Sequence, residues 1–263
     1  MNKTLSILIT TYKNHIVYLA DIIGINIIFV LRIIVIITLY KYLYSNFGVN
    51  DMINGFTLAQ ITFAVIVAQA VSTAKPKIVD EINLDVKSGK IGVYLLNPIN
   101  YLHYKFIEFF PVFLHNLVIG ITIGFTLGYI LLGVFPITIA GFIAGIFLLF
   151  LSMITVFFGY MSIGLLAFYT EDVEAFRYIY SKLDMILGGN LIPIPFLPQI
   201  LQTIAFLSPF AYFGYTSGLV FSNFEIITFI KYFLIQLFWI IINIGLCVFI
   251  YKKAKYKLTI NGG

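Results

Sequence analysis

The chain has 263 residues, of which 61% are hydrophobic and only 10% are charged. A soluble domain carries about 25% charged residues, so this composition excludes a water-soluble protein and indicates that most of the surface faces lipid. The formal net charge of +5 is poor evidence for nucleic acid, because in a membrane protein the location of the basic residues matters more than their sum.

Residues 1–20 predict an amphipathic helix that lies along the membrane surface. Lys3, Thr10 and Asn14 occupy one side of a helical projection, which suits an interfacial helix. The other side carries six apolar residues: Leu5, Leu8, Ile9, Tyr12, Ile16 and Leu19. The alternative is a frayed leader into the first span. A signal peptide is not expected, because the apolar runs are short and no small-residue cleavage site follows.

Six membrane spans are predicted from charge-free runs, since crossing the hydrocarbon takes about 20 apolar residues. Residues 109–170 contain no Asp, Glu, Lys or Arg and fit two spans, with a turn at residues 133–136. The other runs are residues 22–40 (interrupted by Arg32), 56–74, 185–224 and 232–251. The run 185–224 carries four of the eight prolines, so the fifth crossing is not expected to be one regular helix.

The basic residues predict the orientation of these spans. Six crossings bring both termini to one side, and thirteen of the sixteen Lys and Arg residues then lie on that side. Lys41 and Lys231 lie on the other side, and Arg32 lies within a span. Because Lys and Arg are retained in the cytoplasm during insertion, the sequence predicts a multi-pass cell-membrane protein with both termini cytoplasmic.

One cytoplasmic connection, residues 80–100, is longer than a simple link between two spans needs to be. Ile78, Ile82 and Val86 recur every four residues and predict one helical stripe. Gly89 follows where a helix C-terminal cap favours left-handed backbone, and Pro98 ends a second short element. The pattern indicates a helix, a turn and a returning element onto which another protein docks. The alternative is a solvated loop.

The prolines of residues 190–222 predict a re-entrant helical hairpin in the outer leaflet. Proline breaks helices, and lipid cannot satisfy the carbonyl groups it frees, so such backbone is packed in protein or lines a water-filled cavity. The alternative is an extracellular surface loop. Arg32 and Asp184 are the buried charges of the predicted spans, and they could pair with each other, line a route for a polar substrate or serve a purely structural role.

No catalytic or metal-binding constellation is found in the sequence. The single cysteine, Cys247, excludes an intrachain disulfide and a Cys-based metal site. His15, His103 and His115 do not have the spacing of metal ligands on a helix. The stretch most similar to a phosphate-binding loop, G-x-x-x-x-G-K-[ST], is residues 84–91. It has Leu84 at the position of the first glycine and Ile91 at the position of the hydroxyl residue, so it does not match the motif. The sequence therefore predicts a non-enzymatic chain without a cofactor.

Two blocks of the sequence resemble type-2 ABC exporter permeases. The pattern D-x-x-S-G-K-I-x-x-Y-L-L-x-P-I, from Asp85 to Ile99, is similar to the loop after the second span of that family. Residues 188–221, GGNLIPIPFLPQILQTIAFLSPFAYFGYTSGLVF, are similar to the segment before the last span, although Ser208 stands where Leu is more usual. Together with the acidic stretch 169–172 and the six spans, the resemblance covers nearly the whole chain.

The resemblance implies that residues 80–100 contain a coupling helix that rests in a groove of a separate ABC ATPase subunit, which binds ATP and Mg. Ile82 and Val86 would fill the groove, and Asp85 and Lys90 would pair at its rim. The implied coupling residues are Ile82, Asp85, Val86, Ser88, Gly89, Lys90, Tyr94 and Pro98. The expected residues of the translocation pathway or re-entrant segment are Arg32, Asp184, Pro193, Pro198, Pro209 and Phe210.

The sequence thus predicts an all-α, single-domain permease of residues 1–263, which works as a dimer with a second permease copy in membrane lipid. It would export a hydrophobic or amphipathic substrate with ATP hydrolysed by its partner. The alternative function is an ion-coupled secondary transporter or channel that uses Arg32 and Asp184. A membrane-embedded enzyme ranks third, because no residues supply its chemistry.

Overall fold

The computed structural model describes residues 3–45, 52–96, 99–170 and 172–261. This part of the chain is almost entirely helical and contains no β-strand, which confirms the all-α class. Eleven α-helices follow one another along it: α1 Lys3–Val17, α2 Leu19–Leu43, α3 Leu58–Ala74, α4 Ile78–Lys87, α5 Lys90–Leu96, α6 Tyr101–Leu132, α7 Ile139–Gly164, α8 Glu174–Leu187, α9 Gln199–Leu207, α10 Tyr215–Ser222 and α11 Ile226–Asn261.

Five helical stretches of the described chain are long and apolar enough to cross a membrane. They are Leu19–Leu43, Leu58–Lys87, Tyr101–Leu132, Ile139–Phe168 and Ile226–Lys255. These stretches agree with the predicted first, second, third, fourth and last spans. The turn predicted between the third and fourth spans is also confirmed, because α6 ends at Leu132, Gly133 adopts a left-handed conformation, and α7 begins at Ile139 after the Thr138 N-cap.

Helix α3 lies at the centre of the bundle, between α6 on one side and α10 on the other. Lipid is as apolar as the side chains, so close packing rather than water exclusion drives such helices together, and small residues favour it. On α6, Gly120, Gly124 and Gly128 recur every four residues and face α3. On α10, Gly218 lies directly against the backbone of Ala64. The second layer of the bundle is formed by α7, which packs against α10 and α11.

Helix α1 confirms that the amino-terminal segment is helical and excludes the frayed leader over residues 3–17. It packs along α6, where the His15 ring contacts the Asn116 Oδ1 atom at 3.0 Å. Five of the six residues of the predicted apolar side are exposed: Leu5, Ile9, Tyr12 and Ile16 on α1, and Leu19 at the start of α2. A position at the membrane surface stays a prediction, and these exposed side chains agree with it.

The predicted fifth crossing is not a single helix, and its part of the chain is divided into short elements. Helix α8 is followed by a 3-10 turn at Ile194–Phe196, helix α9, a second 3-10 turn at Phe210–Phe213 and helix α10. None of these elements is long enough to span a bilayer, so the sixth span and the re-entrant hairpin of residues 190–222 remain predictions.

Buried side chains satisfy the carbonyl groups of this interrupted backbone. The Tyr212 carbonyl accepts from Ser152 Oγ at 3.1 Å and from Gln236 Nε2 at 3.0 Å. The Leu191 carbonyl accepts from the Tyr40 hydroxyl at 2.7 Å. Since unpaired carbonyls are costly away from water, these bonds help the interrupted backbone to pack against the bundle, in which Phe210–Phe213 and α10 are buried while much of α9 is exposed.

The contact between α10 and α3 leads to a testable expectation. A Cβ atom on Gly218 would lie 2.5 Å from the Ala64 carbonyl oxygen and 2.7 Å from the Ala64 Cα. We therefore expect Gly218→Ala to force the helices apart and to destabilise the protein by about 1–3 kcal/mol. Thermal unfolding in detergent measures this effect. Gly245→Ala is the matched control, since nothing lies within 4 Å of its Cβ position. An equal response of the two variants would contradict the packing.

Candidate functional site

The α4–α5 segment, residues 78–96, forms the helix, turn and returning helix that the sequence predicted. Gly89 has φ +73° and makes the turn between α4 and α5. Helix α4 is amphipathic, and its Ile78, Val79 and Ile82 side chains are buried. Ile82 packs onto α7 at Gly164. The predicted stripe therefore faces the chain's own bundle, and Ile82 is not available to fill a groove in another protein.

A buried ionic cluster around Lys105 connects α4 to α6. The Lys105 side chain is 5% exposed, and its Nζ atom lies 3.0 Å from Asp85, 3.1 Å from Glu108 and 3.6 Å from Glu81. The Tyr101 hydroxyl also donates to Asp85 at 2.9 Å. Asp85 is thus buried and paired with Lys105 inside its own chain, whereas the resemblance implied that it pairs at the rim of a partner's groove.

Two further ion pairs connect α4 to the start of α8. Arg177 Nε lies 3.0 Å from Asp80 Oδ1, and Lys87 Nζ lies 3.7 Å from Asp172 Oδ1. Asp172 also accepts the Glu174 backbone N–H at 3.0 Å. This backbone hydrogen bond is the main cause that lowers the pKa of Asp172, and Lys87 lowers the pKa further. Asp172 therefore stays ionised, as its pairing with Lys87 requires.

The exposed surface of the α4–α5 segment is small and apolar with a basic rim. It consists of Glu81, Leu84, Lys87, Ser88, Gly89, Lys90, Gly92 and Val93, and the acidic Glu81 lies within reach of Lys105. Leu84 and Val93 are each 65% exposed although both are apolar. Of the other predicted coupling residues, Val86 is half-buried, Tyr94 packs its ring against Tyr101 and Tyr104, and Pro98 lies outside the described residues.

A polar cavity of about 480 Å³ lies beside this segment. The end of α3 contributes Gln69, Ser72 and Lys75, while Arg32 of α2 and the residues Ser181 and Lys182 of α8 line it from two other helices. The start of α4 closes it with Ile78, Val79 and Asp80. Seven charged residues line the cavity, five basic and two acidic: Arg32, Lys75, Lys77, Arg177, Lys182, Asp80 and Asp184.

Asp184 is the most buried charged group of this cavity, with 3% of its surface exposed. Its carboxylate accepts from the Lys75 ammonium and from the Tyr160 hydroxyl, the latter at 2.7 Å. The Asn190 side chain donates to the Asp184 backbone carbonyl at 3.2 Å. Asp184 thus joins α8 to α3 and α7.

Asp184 is buried as predicted, whereas Arg32 is exposed, so the prediction that Arg32 is buried is wrong. Arg32 lines the same cavity as Asp184, but the structure pairs Asp184 with Lys75 instead. Of the alternatives left open by the sequence, an Arg32–Asp184 pair is not seen, and the contacts of Asp184 with Lys75 and Tyr160 agree with a structural role for Asp184. A role of either residue in the route of a polar substrate stays a prediction. Pro193 is buried, Pro198 precedes α9 and is exposed, and Pro209 is half-buried. The Phe210 ring is buried against the Tyr180 ring of α8.

Sequence reasoning missed Lys75, Lys105, Tyr160 and Arg177, all of which contact a predicted site residue or line the cavity. A basic residue near the end of a span is ordinarily counted only as a signal of orientation. Lys105 offered a further signal, because Glu108 stands three residues away and Tyr101 four residues away on the same helical face.

Comparison with known families agrees with this architecture. A model described as ABC-2 family transporter protein matches residues 27–262. The chain belongs to this family. A search among curated proteins found no match.

The membership confirms the resemblance to ABC-2 permeases noted from residues 85–99 and 188–221. As an ABC-2 family protein with several long apolar helices, the chain is a membrane transport component. Among the residues that the structure describes, charged side chains form ion pairs at the α4–α5 segment and around the polar cavity.

The Lys105 cluster predicts a stability effect that can be measured directly. Lys105→Gln leaves the buried Asp85 carboxylate without its cation, and we expect a loss of about 3 kcal/mol, because removing one partner strands the other charge. The double variant Lys105→Gln/Asp85→Asn should recover part of the loss. Thermal unfolding in detergent measures both, with Lys90→Gln, an exposed lysine, as the control. A Lys105→Gln variant as stable as the control would contradict the cluster.

Proposed function

We propose that the chain is the membrane-spanning permease of an ATP-driven exporter, with ATP and Mg bound by a separate ABC ATPase subunit. Membership of the ABC-2 family supports this function. A second permease copy would complete the pathway in the membrane, and the substrate would be hydrophobic or amphipathic. The chain itself would perform no catalysis.

The observation that carries the proposal is that α4 belongs both to the exposed α4–α5 surface and to the wall of the polar cavity. Leu84 and Val93 give the ATPase an apolar contact, and Lys90 a charged one at its edge. On the same element, Ile78, Val79 and Asp80 line the cavity. A push on the exposed surface would therefore displace one wall of the cavity.

The ion pairs of α4 would determine which helices move with it. The Lys105 cluster joins it to α6, and the Arg177–Asp80 pair joins it to α8. Asp184 then joins α8 to α3 through Lys75. Closure of the ATPase subunits would pass through these contacts to α6 and to α8 and α3, and the last two line the cavity along with α4. Ile82 and Asp85 would act as positioning residues inside the bundle.

The proposed orientation places both termini and the α4–α5 segment in the cytoplasm, which cysteine labelling can test. Cys247 is the single cysteine of the chain, so the variant Cys247→Ser provides a cysteine-free background for labelling. In intact cells, a membrane-impermeant maleimide should label Met52→Cys, which is exposed between α2 and α3. It should label Ser88→Cys only after the cells are lysed. Labelling of Ser88→Cys in intact cells would overturn the orientation and the coupling role together.

The exporter function predicts that an ATPase co-purifies with the chain and hydrolyses ATP in the complex. We expect Leu84→Glu or Lys90→Glu to weaken this association about tenfold, because each removes an exposed contact of the proposed surface. Lys41→Glu is the matched control for Lys90→Glu, since it makes the same charge change on α2, away from the α4–α5 segment. Quantitative co-purification and ATP hydrolysis by the purified complex measure the effect.

The purified chain can also be used to distinguish the exporter from the alternative function, an ion-coupled transporter or channel that uses Arg32 and Asp184. The chain reconstituted alone in vesicles with a pH-sensitive dye should show no proton flux without nucleotide. Proton flux that Asp184→Asn abolishes, together with no captured ATPase, would overturn the exporter function and favour the secondary transporter.

A further inference from the structure

The charges that line the polar cavity do not balance. Both acids of the cavity already have basic partners, because Asp184 is paired with Lys75 and Asp80 is paired with Arg177. Five basic and two acidic residues line the cavity, so three positive charges remain. They belong to Arg32, Lys77 and Lys182.

Among the residues that the structure describes, none of these three cations has an ion-pair partner. Lys182 lies over the ring of Tyr178, 5.1 Å from its centre, and both residues are on α8. Arg32 is the fourteenth residue of the 25-residue α2, near the middle of a spanning helix, and its side chain is exposed in the structure, as are those of Lys77 and Lys182. An unpaired cation at that depth costs several kcal/mol unless it meets water or an anion. The arrangement therefore favours an anionic ligand.

Apolar side chains adjoin the cations on both sides of the cavity. On α2, Ile28 and Val35 are exposed one turn from Arg32. On α8, Ile186 is exposed one turn from Lys182. A molecule whose charged end lies among the cations can thus place an apolar chain along these side chains, next to the lipid.

We propose that this cavity binds the anionic head group of an amphiphilic substrate, a phosphate or carboxylate on an apolar chain, with Arg32, Lys77 and Lys182 as its cationic ligands. The inference rests on the proposed function, because it names the class of molecule that the permease exports. The start of α4 lines the same cavity, so a movement of the α4–α5 segment would change the contacts of the bound head group directly.

Native mass spectrometry of the full chain in a neutral maltoside detergent tests the proposal with three probes. Dodecyl phosphate carries both the anion and the chain, dodecylphosphocholine carries the chain on a zwitterionic head, and inorganic phosphate carries the anion alone. We expect dodecyl phosphate to bind at least about tenfold more tightly than either of the others, since one lost charged contact corresponds to about that factor.

Variants assign the binding to the cavity. Arg32→Gln and Lys77→Gln should each weaken the binding of dodecyl phosphate about tenfold, because each removes one charge-assisted contact. Arg32→Lys should keep most of the affinity. Lys41→Gln is the matched control, because it removes an exposed positive charge from the same helix as Arg32, outside the cavity. Thermal unfolding of each variant verifies that the fold is retained.

Three results would overturn the proposal: equal binding of inorganic phosphate, equal binding of dodecylphosphocholine, or losses in Lys41→Gln as large as those in Arg32→Gln. The assay needs no ATPase subunit, so its failure is distinguishable from failure of the exporter function. Head-group binding that depends on Arg32 and Lys77, together with no ATPase captured by the chain, would support the site and overturn the exporter function.

Discussion

The burial of charged side chains in an apolar helical bundle is the constraint on which the arrangement of the helices depends. Lys105 is almost completely buried, and its burial is tolerated because Asp85 and Glu108 lie about 3 Å from its ammonium group. The burial of Asp184 is offset in the same way by its contacts with Lys75 and Tyr160. The Lys105–Asp85 pair joins α6 to α4, and the Asp184–Lys75 pair joins α8 to the end of α3, 109 residues away along the chain. The buried charges therefore determine how α4 and α8 sit on the membrane helices, and with them the shape of the cavity.

Structural features that depend only on residues close together in the sequence could be predicted from the sequence. The long apolar runs predicted five of the spanning helices, and Gly89 and Gly133 predicted the turns where the structure has left-handed backbone. The partners of the buried charges could not be predicted this way. Asp184 and Lys75 are 109 residues apart, and no periodicity relates them. The stripe of α4 was identified correctly, but a stripe does not reveal whether it packs on its own chain or on a partner, and Ile82 packs on α7.

The interrupted segment after α8 shows a different limit of sequence reasoning. The prolines correctly indicated that no regular helix crosses here, but the number of crossings depends on where the freed carbonyl groups find donors. In the structure these donors come from other helices, as Tyr40 does for the Leu191 carbonyl and Gln236 for the Tyr212 carbonyl. Such donors look like ordinary span residues in the sequence. A polar residue in an otherwise apolar run can serve the backbone of a distant segment as readily as a transported molecule.

In our proposal, the paired charges have a structural role and the unpaired charges bind the transported molecule. The pairs of Lys105, Arg177 and Lys75 each cross between elements, so in the proposed function they would transmit a displacement while their charges are already paired. Arg32, Lys77 and Lys182 have no such partner in the described part of the chain, and they line one cavity together. Because Asp80 belongs to α4 and pairs with Arg177 at the edge of that cavity, a movement of α4 changes the field that a bound anion experiences. In the proposed function, a displacement of α4 would thus be coupled to the release of a charged head group from the cavity.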